Sequence, residues 1–159
     1  MSFEVKMADF TEENVSTLSF GEEFRDAVFL SNTAAAVILD AVQQTKYTSK
    51  SLRPPEVYAK ALAYAKANTG AIKSNDPHLI DDLFFALRAL SFERTVDGDE
   101  SNRKIIRLHE YEVASLVNLS PSSVSAAQSL IPSLQRFSED ELTLVLATLR
   151  KSTAKTMLE

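Results

Sequence analysis

Residues Ser120–Leu142, "SPSSVSAAQSLIPSLQRFSEDEL", contain two helix starts on either side of a short apolar turn. Ser138, followed three residues later by a glutamate, forms a capping box, which marks the start of a helix. Pro132 disfavours helical geometry at Ile131, so the preceding helix must end there. One straight helix without a proline would bury the same apolar side chains. Because a proline is present, we predict a corner at which two helices cross and present Ile131 and Leu134 to a shared core.

A helical period runs through the rest of the chain from Ser31 onward. Apolar residues recur three and four positions apart, with Ser or Asp as caps and prolines near the helix starts. Two helices are expected to start at Ser120 and Ser138, and the second is expected to bury Leu142, Val145, Leu146 and Leu149. Before them, we expect helices over about 32–45, 56–68, 77–92 and 109–118. Glu112 can reach back to cap the start of the last of these.

Each of the first three helices has its own apolar pattern. The second is expected to end at Gly70, because glycine commonly follows a helix in the left-handed conformation. The third is apolar almost all round from Leu79 to Phe92, so we expect it to lie between neighbours. The polar stretch 94–104 after it is expected to be a loop. The first helix is expected to bury one face, formed by Ala34, Val37, Ile38, Ala41 and Val42.

The composition limits the class of protein. A chain of 159 residues is one domain, or a domain with an arm. Three glycines argue against an all-β fold and a glycine-rich phosphate loop, and the lack of cysteine excludes disulfides and thiolate metal sites. No run approaches the ~20 apolar residues that span a bilayer, and no signal-peptide pattern opens the chain. We expect an all-α protein without a cofactor or membrane contact.

The first 30 residues differ from the rest. They carry seven acidic and two basic residues, a net charge of −5, so residues 31–159 sum to zero. Residues 3–7 alternate like a short strand, and 27–30 are a second candidate; such short strands must pair with something. We expect an extended arm (1–30), a helical domain (31–151) and a flexible tail (152–159). The arm's five phenylalanines should be buried, on the body or on a partner: Phe3, Phe10, Phe20, Phe24 and Phe29.

No group of residues has the spacing of a catalytic or metal site. His78 and His109 lie near helix starts, without the spacing of a second metal ligand, so we expect surface or capping roles for them. Carboxylate clusters such as Glu22-Glu23 and Glu139–Glu141 lie in the acidic arm or in a first helical turn, where solvation and the helix dipole explain them. We therefore do not expect an enzyme. A neutral body without clustered Lys and Arg also argues against direct nucleic-acid binding.

Residues Leu108–Leu134, "LHEYEVASLVNLSPSSVSAAQSLIPSL", resemble the C-terminal signature of the small stalk subunits of RNA polymerase. This family includes the fourth subunit of RNA polymerase II and its counterpart in the archaeal polymerase. Residues Leu18–Phe24, "LSFGEEF", more weakly resemble the family's Gly-x-Glu-Phe segment ahead of the first helix. The matched positions of the signature are Leu108, Tyr111, Glu112, Ala114, Leu116, Asn118, Leu119, Pro121, Ala127 and the turn 130–134.

The resemblance implies an HRDC-like helical bundle and a non-catalytic subunit of DNA-directed RNA polymerase II in the nucleus, acting in transcription initiation and transcript handling. Its implied partners are the polymerase core and a larger OB-fold stalk subunit, to whose sheet the arm can add a strand. Nucleic acid is then contacted only indirectly, through that partner. The homologous stalk subunit of RNA polymerase III and a free HRDC-like nucleic-acid-binding module are the alternatives. The expected partner-binding residues are Phe3, Val5, Phe20, Phe24, Val28, Phe29, Leu30, Val37 and Ile38.

Overall fold

A computed structural model describes residues 13–24, 26–70, 77–96 and 99–155. These residues form six α-helices and one two-stranded antiparallel sheet, which confirms the expected all-α bundle. In chain order the elements are α1 (Asn32–Val42), α2 (Glu56–Ala67), α3 (Pro77–Ala89), β1 (Ser91–Val96), β2 (Asp99–Arg107), α4 (Glu110–Leu119), α5 (Val124–Leu130) and α6 (Glu139–Lys155).

Helices α3 to α6 enclose the hydrophobic core, and α4 lies at its centre. Val113, Leu116 and Val117 of α4 are completely buried. The face predicted for α6 is confirmed, because all four of its apolar residues are buried. At ~1.5–3 kcal/mol for each large apolar side chain, these contacts are the main stabilising term of the fold. The α6 face consists of Leu142, Val145, Leu146 and Leu149.

The corner predicted at Pro132 is confirmed. The amide of Ile131 donates to the carbonyl of Ala127 at 2.8 Å and closes α5, and a 3-10 turn, Pro132–Arg136, then leads to α6. Ile131 and Leu134 are both completely buried. The predicted start of α5 at Ser120 is wrong. Ser123 caps α5 instead, because Ser120 has a left-handed φ of 45° and terminates α4.

The expectation of a loop over 94–104 is wrong, because residues 94–96 belong to β1 and residues 99–104 to β2. Phe92 pairs with Ile106 across the two strands, and both side chains pack against the core. The Phe92 ring centroid lies 5.7 Å from that of Phe137, which precedes α6. The apolar residue Phe92, assigned from sequence to the third helix, therefore belongs to a strand, and α3 ends at Ala89.

Helix α1 buries only part of the predicted face. Ala34 and Val37 of that face pack against the core, whereas Ile38 is 49% exposed and Val42 36% exposed. Thr33 and Ala36, which were not predicted, are buried. The cause is α2, which packs along the side of α1 that carries Thr33. The Thr33 hydroxyl donates to the carbonyl of Thr69, just after α2, at 3.0 Å. A small alanine at position 36 suits that contact better than a branched side chain.

Tyr58 and Lys66 of α2 also bond to α1. The Tyr58 hydroxyl donates to the carbonyl of Leu39, and the Lys66 ammonium lies 2.8 Å from a carboxylate oxygen of Asp40. Burial raises the pKa of Tyr58 above its ordinary value, and the neighbouring Tyr47 and Asp40 raise it further. Tyr58 therefore remains the protonated donor of this bond at neutral pH.

Two expectations about α2 and α3 need correction. Asn68, rather than Gly70, ends α2, since its amide donates to the carbonyl of Tyr64 at 3.0 Å; Gly70 follows with a left-handed φ of 64°. Helix α3 does not lie between neighbours on all sides, because Phe85 is 76% exposed. The core needs only the α3 positions that recur every three or four residues, and Phe85 falls between them.

Candidate partner interface

The described part of the arm lies against the helical body as a series of turns. Asn14 and Ser19 form a bridge with backbone hydrogen bonds of 2.9 and 3.0 Å, which closes a small loop. The loop packs against the turn at Pro132–Arg136. Residues 27–30, the second candidate strand, pair with no other strand of the described chain. The strand expected over 3–7 lies outside the described residues.

Two arm phenylalanines form an aromatic cluster with the start of α4. The ring centroid of Phe20 lies 5.2 Å from that of Phe29 and 5.5 Å from that of His109. The Phe29 ring approaches the edge of His109 at 5.7 Å and of Tyr111 at 5.9 Å. Aromatic pairs at such distances are favourable. These contacts bury Phe20 and Phe29 in part on the chain's own body.

His109 is held in place because it caps α4. Its Nδ1 accepts a hydrogen bond from the amide of Tyr111 at 3.1 Å, and its own amide donates to the carboxylate of Glu112 at 2.7 Å. This reciprocal arrangement fixes the ring that Phe20 stacks on. The capping role expected for His109 and the reach of Glu112 back to the helix start are both found.

The other predicted partner-binding residues fall into three groups. Val37 packs partly against the core. Phe3 and Val5 lie outside the described residues. The remaining four are apolar and exposed to solvent by 45–69%. Large apolar side chains clustered in one segment in this way are typical of a binding surface. We call these four residues, three of the arm and one of α1, the exposed arm set: Phe24, Val28, Leu30 and Ile38.

A groove with a volume of about 580 Å³ opens beside the aromatic cluster. Its apolar lining comes mainly from rings of the arm, and its polar lining comes from carboxylates and a histidine. No pattern in the sequence indicated this groove, because it forms only when the arm lies across the start of α4. The side chains that define it are Phe20, Phe24, Phe29, Glu22, His109 and Glu110.

The only buried charge found inside the described core is structural. Glu112 is completely buried, and its carboxylate accepts hydrogen bonds from the Ser133 hydroxyl at 2.7 Å and from the Arg136 guanidinium at 2.7 Å. A third hydrogen bond to the carboxylate comes from the amide of His109 at 2.7 Å. The network holds α4 to the corner at Pro132.

The described residues contain no group of His, Asp and Glu that could hold a metal ion. His78 is exposed near the start of α3. None of the described helices is long and apolar enough to cross a membrane. What the geometry offers instead is a surface with exposed apolar side chains and a groove. These features are those of a helical protein with a candidate interaction surface.

Comparison with known proteins gives this surface a context. The RNA polymerase Rpb4 family matches residues 29–153, which is most of the chain. The chain is also similar to "DNA-directed RNA polymerase II subunit rpb4" of Dictyostelium discoideum. The two are 29% identical over 135 residues, which cover 85% of each chain. The chain therefore belongs to the RNA polymerase Rpb4 family, the small stalk subunits of RNA polymerase, and the resemblance of residues 108–134 is confirmed.

Proposed function

We propose that this protein is a non-catalytic stalk subunit of nuclear RNA polymerase II. In this role it pairs with the larger OB-fold stalk subunit and supports transcription initiation and transcript handling. The observation that carries the proposal is the family match over residues 29–153. The choice of polymerase II is supported by the name of the Dictyostelium relative. The homologous subunit of RNA polymerase III is the alternative.

The exposed arm set supports the pairing. Burial of a large apolar side chain contributes ~1.5–3 kcal/mol. Burying several of them on one partner outweighs the ordering of a few side chains, which costs ~0.5–1.5 kcal/mol each. Residues 1–30 form the partner-binding arm in this proposal, with Phe3 and Val5 in a strand that joins the partner's sheet. The neutral charge of residues 31–159 leaves nucleic-acid contact to the partner.

Purification of the tagged chain from its native extract tests the proposal. We expect a stoichiometric OB-fold stalk subunit and the largest subunit of RNA polymerase II, identified by mass spectrometry. Recovery of the largest subunit of RNA polymerase III would assign the chain to that enzyme instead. A monomer without any polymerase subunit would refute the proposal.

A pair of variants tests the surface itself. Phe24→Ser with Val28→Ser should abolish recovery of the OB-fold subunit, because both side chains belong to the exposed arm set. The matched control is Phe85→Ser with Val57→Ser, since Phe85 is 76% and Val57 79% exposed on other elements. The control variant should still recover the OB-fold subunit. Equal loss from both pairs would show that general surface hydrophobicity, rather than the arm, holds the complex together.

A further inference from the structure

The groove beside the aromatic cluster combines aromatic walls with negative charge. Phe20, Phe24 and Phe29 provide the aromatic surface, and Glu22 and Glu110 lie in the same lining. Glu110 also pairs with Arg88, at 3.2 Å in an exposed ion pair. An apolar ligand alone would leave these carboxylates poorly solvated, at a cost in free energy. The lining therefore favours a ligand that has both an apolar part and a positive charge.

Two further carboxylates lie beside Gly21, a residue that lines this groove. A Cβ atom built on Gly21 would lie 2.5 Å from a carboxylate oxygen of Glu13 and 2.8 Å from one of Glu23. Within the described ranges, no hydrogen bond or ion pair joins either carboxylate to a cation. Like charges on neighbouring side chains repel each other, and a cation between them would remove the repulsion.

We infer that this groove receives an arginine or lysine side chain from an extended basic segment of the OB-fold stalk subunit. The methylene stem packs along the phenylalanine rings, where the charged head can also make cation–π contacts. The head reaches the carboxylates at Gly21. The inference rests on the proposed function, because it takes the partner from there. The inference specifies the kind of side chain that the partner contributes, and it places this contact next to the exposed arm set.

Charge distinguishes this occupant from the chain's own first residues. Residues 1–12 hold three acids, Glu4, Asp9 and Glu12, and one base, Lys6, so their net charge is −2. Residues 13–30 have a net charge of −3. If residues 1–12 occupied a groove built largely from residues 13–30, two negatively charged segments would lie together. A second copy of the chain, with a net charge of −5, is disfavoured for the same reason.

Photo-crosslinking in the assembled complex identifies the occupant. Phe24 is replaced by p-benzoylphenylalanine, the complex is irradiated, and the crosslinked peptide is sequenced by mass spectrometry. We expect a peptide of the OB-fold stalk subunit that contains arginine or lysine at the crosslinked segment. A peptide from this chain's residues 1–12, or a partner segment without a basic residue, would overturn the inference.

Charge neutralisation provides the second test. Glu13→Gln with Glu23→Gln should weaken the heterodimer about 10-fold at low salt and flatten the salt dependence of its dissociation constant. The control is Glu56→Gln with Glu139→Gln, two exposed acids on α2 and α6, which should change neither. If wild-type chain and partner do not associate at all, the proposed function fails. If they associate and the Glu13/Glu23 variant behaves like the control, only the groove inference fails.

Discussion

The hydroxyl of Ser133 donates a hydrogen bond of 2.7 Å to the carboxylate of Glu112, a group that is completely buried. Arg136, three residues further on, binds both oxygens of the same carboxylate. Both donors sit on the 3-10 turn that begins at Pro132. The corner at Pro132 therefore does more than let two helices cross. It brings the donors of Ser133 and Arg136 to the buried carboxylate of Glu112, a position that they could not reach from one straight helix.

Loss of Arg136 should strongly destabilise the protein. Arg136→Ala leaves the carboxylate of Glu112 buried without its counter-ion, which costs about 3–5 kcal/mol in comparable buried pairs. Arg103→Ala is the matched control, because its ion pair with Glu93 is exposed (60% and 63%) and is worth less than about 1 kcal/mol. Urea unfolding followed by circular dichroism measures both. Similar losses for the two variants would show that the Glu112 network contributes little.

The sequence predicted the local part of this network but not the long-range part. The sequence predicts that Glu112 caps α4, because a capping box joins residues that are only three positions apart. Its bonds to Ser133 and Arg136 span 21 and 24 positions. Such pairs depend on where the corner places the turn. Periodicity and capping patterns carry no information about that placement.

The errors in the fold have a similar origin. The polar stretch "RTVDGDESNRK" predicts a loop over 94–104. The residues two positions outside it, Phe92 and Ile106, pair across the two strands on the core side. The face of α1 was predicted from hydrophobicity alone, whereas the hydrogen bond from Thr33 to Thr69 sets its rotation. In both cases contacts with another element, which the local sequence pattern does not show, decided the local conformation.

Gly70→Ala should destabilise the fold by at least about 2 kcal/mol. Gly70 has a left-handed φ of 64°, and an added Cβ would lie 2.3 Å and 2.4 Å from the backbone carbonyl oxygens of Val117 and Asn118. Neither atom can move without shifting α4. Gly21→Ala is the control, because its Cβ would meet only the ends of the Glu13 and Glu23 side chains, which can swing away.

Thermal unfolding of both glycine variants measures the difference. Gly21→Ala should stay within about 0.5 kcal/mol of wild type, as is usual at surface positions. A Gly70→Ala variant as stable as Gly21→Ala would contradict the close approach of Gly70 to the end of α4.

The ion pair between Arg94 and Glu141 should make stability depend on pH. Burial by itself would raise the pKa of Glu141. The hydrogen bonds from Arg94 at 2.6 Å and from the amide of Ser138 at 2.7 Å outweigh it and lower that pKa below 4.5. A carboxyl whose pKa is lower in the folded state stabilises the fold at pH values above its unfolded pKa. This contribution disappears as the pH falls through the folded pKa.

Arg94→Gln should therefore cost about 0.5–1 kcal/mol at pH 7, since the arginine is partly exposed. The difference from wild type should shrink below pH 4.5, where Glu141 becomes protonated. Lys60→Gln, which removes an ion pair with Glu56 that is 75–80% exposed, is the control and should show no such pH dependence. Urea unfolding at pH 7 and pH 3 measures the effect. A constant difference across pH would contradict the role given to Arg94.

Phe29 and Phe24 should separate stability from partner binding. Phe29 lies against Phe20, His109 and Tyr111 on the body. Phe29→Ser should therefore destabilise the isolated chain by about 1–3 kcal/mol. Phe24 is 45% exposed. Phe24→Ser should change stability by less than about 0.5 kcal/mol, while weakening the heterodimer at least about 10-fold, as expected for an apolar anchor.

Thermal unfolding of the isolated chain and titration against the OB-fold subunit measure the two effects separately. Phe20→Ser is a useful companion, because its ring contacts Phe29 and His109 and also lines the groove. It should lower both stability and affinity. If Phe24→Ser unfolded the chain as readily as Phe29→Ser, Phe24 would belong to the folded body. The arm would then offer a partner far less apolar surface than the heterodimer requires.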